Sequence, residues 1–290
     1  MDYMIGFVVL HYGDVGITDA CIQSILRLDG GDTALIVIVD NDVRETRTTH
    51  KALKSRYEQY NNIVVLTNAG LGGFSEANNI GYAYARDHGC QFVVISNNDV
   101  IFPQTGFLKL LRHVYDEKRC HVLAPDVIKA GNGQHQNPLD TRIRTEKEAT
   151  HTIRMNRMTL AIFPVSIPML RRWERQKEKE DRERSIATGT ACRENIVPFG
   201  ACLIFTPAFV KAQRKAFEPE TMFFYEEYIL ALRCQKLGYL IRYVPTLRVI
   251  HESGAATDDQ YHTDAARMKF RLQRTRDAAE IYLKYLRSGR

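Results

Sequence analysis

The sequence predicts an α/β protein with a mostly parallel, Rossmann-like central sheet flanked by helices, a smaller subregion on one side and a C-terminal helix. Three observations carry this. Short continuous apolar runs rich in Val and Ile recur through the first third of the chain, and such runs suit strands covered on both faces. Stretches of helical length and period separate them. Each run ends in Asp, Asn, His or Gly, and open α/β sheets bind ligands beyond the carboxyl ends of their strands.

The first run, residues 5–10, ends at His11-Tyr12-Gly13-Asp14. The second, 34–39, ends at Asp40-Asn41-Asp42, and the third, 62–66, at Thr67-Asn68-Ala69-Gly70. The fourth, 91–95, ends at Ser96-Asn97-Asn98-Asp99. Helical stretches fall near 17–28, 44–60 and 75–88. Asp40, Asn68, Asn97 and Asp99 are therefore expected on one rim, although these residue types are also ordinary turn formers. From 129 to 195 the pattern changes. Residues 142–157 are polar and basic, and 160–170 are apolar but hold Pro164 and Pro168, which speak against an uninterrupted helix. Arg171-Arg172-Trp173 follows, then an almost wholly charged stretch at 178–184. This reads as an insertion carrying an apolar ridge with a basic edge. Regular structure resumes with a strand at 202–206, a short helix from Pro207, and a helix through about Leu237 closed by Gly238. Short strands at 241–245 and 247–250 end at His251.

The chain has 290 residues, 44% hydrophobic and 26% charged, which excludes a fibrous repeat, a disordered tail protein and a polytopic membrane protein. No stretch reaches the ~18 uncharged apolar residues that span a bilayer. Met1-Asp2-Tyr3-Met4 lacks the basic lead of a secretory signal. The six cysteines are scattered without CxxC spacing and read as reduced apolar side chains, so a cytoplasmic location is expected. The helical tail, 267–290, holds eight basic and two acidic residues, an excess equal to the whole formal charge of +6. Nucleic-acid binding would need aromatics interleaved with those cations, whereas Tyr282 and Tyr285 fall where a helix packs, so no nucleic-acid partner is expected.

Four pieces carry chemistry. Asn97-Asn98-Asp99 places a carboxylate at a strand end, and Mg²⁺ or Mn²⁺ is often held by one or two carboxylates with phosphate oxygens supplying the rest. The glycines at 70, 72 and 73 precede a helix whose N–H groups could face an anion. They lack the third glycine of a dinucleotide fingerprint and follow the third strand rather than the first, and there is no Walker A lysine motif. Glu226 and Glu227 open a helix, where they serve either as a general base or as complements to the helix dipole. His251 ends a strand and precedes Glu252-Ser253-Gly254.

In this order the pieces resemble a family 2 glycosyltransferase of the GT-A fold, most like the bacterial rhamnosyltransferase-type branch that builds surface polysaccharides. The resemblance runs from Ile5 to Gly254. Its sharpest part is Asn68-x-Gly70-x-x-Gly73-Phe74-Ser75-x-x-x-Asn79-x-Gly81, followed by Gly200-Ala201-Cys202-Leu203-Ile204, Phe223 to Glu227, Leu232-Arg233, Gly238-Tyr239, Val244-Pro245 and His251-x-x-Gly254. It implies that Asp40 holds the nucleotide base or ribose, with His11 and Asn68 nearby and Gly73, Asn78 and Asn97 also on the nucleotide sugar. Asp99 would bind the divalent cation, Mg²⁺ or Mn²⁺, and His251 would be a second metal or diphosphate ligand. Gly200 and Ala201 would line the donor-sugar pocket. Glu227 would be the base, with Glu226 as the alternative.

The chain departs from the family in having Glu226-Glu227-Tyr228-Ile229 where Glu-Asp-x-Asp is usual, and His11-Tyr12-Gly13 where an Asn-containing turn is common. The resemblance implies an inverting transfer from a UDP- or dTDP-linked sugar to a saccharide or lipid-linked saccharide. The alternative is a nucleotide-sugar-binding module with little turnover. Residues 1–125 would bind the nucleotide sugar, 126–195 would be an acceptor-side loop insertion, 196–255 would carry catalysis and acceptor contacts, and 256–290 would be a basic helical tail. Two occupants suit the ridge and tail: an anionic membrane surface, peripherally on the inner face of the cytoplasmic membrane, or a second copy in a homodimer.

Overall fold

Strands Ile5–His11 (β1), Leu35–Asp40 (β2), Ile63–Thr67 (β3) and Phe92–Asn97 (β4) pair in parallel in the order β3-β2-β1-β4. Successive side chains of a strand point to opposite faces. Phe7 and Val9 of β1 therefore join one core, and Val8 and Leu10 the other. Both faces are covered, which is why the runs are continuous rather than alternating. Helices Val15–Leu26 (α1) and Thr46–Tyr57 (α2) lie on the Phe7 side, and Phe74–Asp87 (α3) lies on the Val8 side. A Cβ on Gly81 would stand 2.3 Å from Val8 Cγ1 and 2.9 Å from Val39 Cγ2, so only glycine lets α3 sit this close to β1 and β2. The computed structural model describes residues 4–41, 46–69, 73–163, 165–188, 191–252 and 263–289.

The chain continues through Val100–Ile101 (β5), Phe107–Glu117 (α4), Val122–Lys129 (β6), Glu146–Ala161 (α5), Ile167–Thr188 (α6), Arg193–Glu194 (β7), Cys202–Phe205 (β8), Pro207–Ala212 (α7), Glu226–Leu237 (α8), Ile241–His251 (β9) and Asp264–Arg287 (α9). Among the described residues the strands form one nine-stranded sheet, β3-β2-β1-β4-β8-β6-β9-β5, with β7 also on β9. β8 runs antiparallel to β4 and β6, and β5 and β7 run antiparallel to β9, while the others share one direction. This is the predicted mostly parallel α/β fold.

Two local expectations are corrected. The strands expected at 241–245 and 247–250 are one strand, β9, whose pairing with β6 jumps from Val244 to Arg248. Proline has no N–H for the ladder, and a bulge at Pro245 accommodates it. The segment expected to be a loop insertion instead forms a helical hairpin. Thr145 and Glu148 close a capping box at the start of α5. The apolar stretch 160–170 contains the turn, and Pro168 falls in the first turn of α6, where it is tolerated. The tail is helical, as expected, and packs on the hairpin. α9 buries Met268, Ala278, Ala279 and Tyr282, and it meets the hairpin through Asn156 Nδ2 to Leu272 O (3.2 Å), Arg157–Glu280 (2.7 Å), Arg171–Asp264 (3.2 Å) and Arg271–Glu174 (2.9 Å). No helix among the described residues is long and apolar enough to cross a membrane.

Candidate active site

The parallel strands bring their polar ends together. In the ladders His11 stands beside Asp40, Asp40 beside Thr67, and Leu10 beside Asn97. Asn41 N donates to His11 O (3.0 Å), Asn68 N to Asp40 O (2.9 Å), and Asn68 Nδ2 to Asn41 Oδ1 (2.9 Å). From α1, Thr18 Oγ1 lies 2.6 Å from His11 Nδ1 and accepts from Asn98 Nδ2 at 2.9 Å. His11, Asp40, Asn68 and Asn97 thus share one rim. Asn41, Asn98 and Thr18, which sequence reasoning did not choose, are the residues that brace it.

Asp99 follows directly. Its side chain is buried, its Oδ1 accepts no hydrogen bond, and that atom faces His251 Nε2 at 3.3 Å. The two residues meet because β5 pairs with β9, which places Val100 opposite His251, and because Glu252 N donates to Asp99 O. Gln136 Oε1 lies 2.8 Å from His251 Nδ1. With the ring proton on Nδ1, donated to Gln136, the Nε2 lone pair points at Asp99. A carboxylate oxygen without a donor and an imidazole nitrogen suit a divalent cation whose remaining ligands are phosphate oxygens. No group of three or more His, Cys, Asp or Glu side chains able to hold an ion occurs among the described residues.

Glu227, in the first turn of α8, lies against the segment that precedes β8. A Cβ on Gly200 would lie 2.6 Å from Glu227 Oε1, so the carboxylate rests directly on that glycine, and Gly200 N–H donates to it. Ala201, the next residue, accepts from Asn97 N at 2.9 Å, and Phe199, the preceding one, packs its ring 5.7 Å from that of His251. The segment 199–201 therefore joins Glu227 to both Asn97 and the Asp99–His251 pair. Glu227 is half-buried, whereas Glu226 is 6% exposed and leaves Oε1 without a hydrogen bond. Burial raises both carboxyls above the usual range; the Glu227 charge raises Glu226 further, while the Glu227 and Gly200 amides partly offset the rise at Glu227. Of the two, Glu227 is the one a ligand can reach.

The turn that delivers these carboxylates is strained and clamped. Phe224 and Tyr225 both take left-handed φ values, 69° and 67°, which cost non-glycine residues about 1–3 kcal/mol each. Asn79 holds the preceding loop by donating to Phe217 O (2.8 Å) and Glu220 Oε1 (3.1 Å) and accepting from Phe217 N (3.0 Å). Ser75 Oγ meets Thr221 N and Oγ1, both at 3.2 Å, and Phe74 N donates to Met222 O at 2.8 Å. Gly73 abuts Met222, and Asn78 is buried and donates to Phe74 O. Ser75 and Asn79 thus brace the loop that leads into α8. From the other side Arg144 donates to Tyr225 Oη (2.7 Å) and stacks over Tyr225 and Tyr228, while Tyr282 of α9 donates to Arg144 O. Nothing in the sequence marks Arg144. Asp42, Gly70, Gly72 and Gly254 lie outside the described residues.

The fold is similar to that of solved glycosyltransferase structures. Residues 1–349 of S. aureus TarS align over 96% of this chain and 72% of that one, at 13% identity and TM-score 0.53. GalNAc-T7, crystallised with UDP, GalNAc and Mn²⁺, aligns over 86% of this chain at 12% identity and TM-score 0.57. At these identities the likeness is one of fold, GT-A. The chain spans 22% of a longer TarS structure and 44% of the GalNAc-T7 chain. No curated protein matches the sequence. The family model described as "Glycosyltransferase like family 2" matches residues 4–275. This chain belongs to glycosyltransferase-like family 2.

Proposed function

We propose that this protein is an inverting glycosyltransferase that moves a sugar from a UDP- or dTDP-linked donor to a saccharide or lipid-linked saccharide acceptor. The single observation that carries the reading is the strut 199–201, which links a reachable carboxylate, Glu227, to the Asp99–His251 pair. Asp40 and Asn68 hold the nucleoside, with His11, Asn97 and Asn98 shaping the rim. Asp99 and His251 would hold Mg²⁺ or Mn²⁺, which would offset charge on the leaving diphosphate. Glu227 takes the proton of the acceptor hydroxyl as that oxygen attacks the anomeric carbon from the face opposite the diphosphate. A carboxyl raised by burial is a stronger base than an exposed one. Gly200 and Ala201 bound the sugar and, with Phe199, exclude water from it. Transfer of a rhamnose-like hexose into a surface polysaccharide is the specific case we favour.

The test is thermal unfolding against a series of UDP- and dTDP-sugars with Mn²⁺. A ligand that binds only the folded state raises the midpoint. A metal-dependent rise that Asp99→Asn abolishes is expected. A rise without turnover in the presence of acceptor saccharides would mark a binding module instead, and no rise with any nucleotide sugar would refute the reading.

A further inference from the structure

The tip of the α5–α6 hairpin carries an apolar patch that the fold leaves uncovered. Of the eight large apolar side chains exposed among the described residues, six lie here: Met155, Met158, Ile162, Val165, Met169 and Trp173. Val165, at the turn, is 83% exposed. From Met158 to Leu170 the sequence has no charged residue. Around that tip stands a collar of exposed cations, Arg154 and Arg157 on α5 and Arg171, Arg172, Arg175 and Lys177 on α6, of which Arg157 and Arg171 are paired with Glu280 and Asp264 of α9. Glu174 is the one acidic residue in the same span, and it is bonded to Arg271.

We infer that this tip docks the protein on an anionic lipid bilayer, the apolar turn entering the headgroup boundary and the collar lying on the phosphates. A charge-free apolar tip above a belt of Arg and Lys matches the layering of a membrane surface, apolar within and anionic at the face. Trp173 sits at the level of the collar with Lys177 Nζ 5.5 Å from its ring centre, and Trp favours that interfacial depth. A second copy of the chain is the poorer occupant. A two-fold contact sets each patch against itself, so it would bring two cationic collars together. The basic tail is not the docking element, because α9 is packed on α5 and its Arg271, Arg267 and Arg287 pair with Glu174, Asp264 and Glu146. The inference stands apart from the transfer reaction, since it uses none of the cleft residues.

Trp173 is the sole tryptophan, so its emission reports this contact alone. The full chain is mixed with phosphatidylcholine vesicles with and without phosphatidylglycerol, at low and at raised salt. Flotation with the anionic vesicles, a blue shift of Trp173 emission, and loss of both on removing phosphatidylglycerol or raising salt are expected. V165E/M169E should keep its melting temperature and lose at least ~10-fold in vesicle partitioning. No flotation would overturn the inference, as would flotation with unchanged Trp173 emission. So would a dimer in sedimentation that V165E/M169E dissolves without any vesicle binding by the parent.

Discussion

Gly200→Ala isolates the position of Glu227 from the stability of the fold. The backbone at Gly200 is not left-handed, so alanine is conformationally acceptable there. Its methyl would nevertheless stand 2.6 Å from Glu227 Oε1, 3.3 Å from Cδ and 3.4 Å from Cγ. Regaining van der Waals separation requires the carboxylate to retreat by about 0.8 Å. The yielding group is the end of a flexible side chain rather than backbone. The stability cost should therefore fall at the low end of the overpacking range, about 1 kcal/mol. A displacement of this size at a catalytic group can cost on the order of 10²-fold in rate. The assay pairs thermal unfolding with release of nucleoside diphosphate from the donor that the ligand screen selects. A near-normal melting temperature with a kcat/KM reduced by about two orders of magnitude is expected. Wild-type kcat/KM in Gly200→Ala would refute the placement of Glu227 against the reacting sugar.

Two further outcomes follow from the clamp and the carboxyl pair. Asn79→Ala strands Phe217 N and Phe217 O without their side-chain partner in a buried loop, and should lower unfolding free energy by about 2–4 kcal/mol in denaturant titration; a loss below ~0.5 kcal/mol would show that the loop is held otherwise. Glu226 keeps its proton to higher pH in the folded chain than in the unfolded one. Its contribution to stability is therefore unpenalised below about pH 4.5 and declines as pH rises toward its raised folded-state value, by at most about 1.4 kcal/mol per pH unit. Wild type should lose stability relative to Glu226→Gln between acidic and mildly alkaline pH, and parallel pH–stability curves would contradict the burial of that carboxyl.

The parallel half of the sheet was readable because its code is local. Continuous Val and Ile runs require cover on both faces, and Asp40, Asn68 and Asn97 follow strand ends that must fall on one rim. The Asp99–His251 meeting was not readable from spacing, because the two are 152 positions apart and meet through the β5–β9 pairing. Resemblance to a family supplied that pair. The insertion misled for a physical reason: its capping box at Thr145 and Glu148 was present in the sequence, but α5 buries only Ala149 and Ile153 among its apolar side chains, so its helical period is faint. Ile229, at a position where the family usually carries Asp, is 2% exposed in the core of α8. Arg144 had no sequence signal at all, since its role depends on Tyr225 and Tyr282, both remote in the chain.

The division of labour between the two adjacent carboxyls is the point on which the mechanism turns. Transfer rates of Glu227→Gln and Glu226→Gln, measured side by side with Mn²⁺ and saturating donor, address it. Glu227→Gln should fold normally and lose roughly 10²–10⁴ in kcat, the usual contribution of a general base. Glu226→Gln, which mimics a carboxyl already held protonated by burial, should stay within ~10-fold of wild type. The opposite ranking would move the base to Glu226 and undo the role assigned to Glu227.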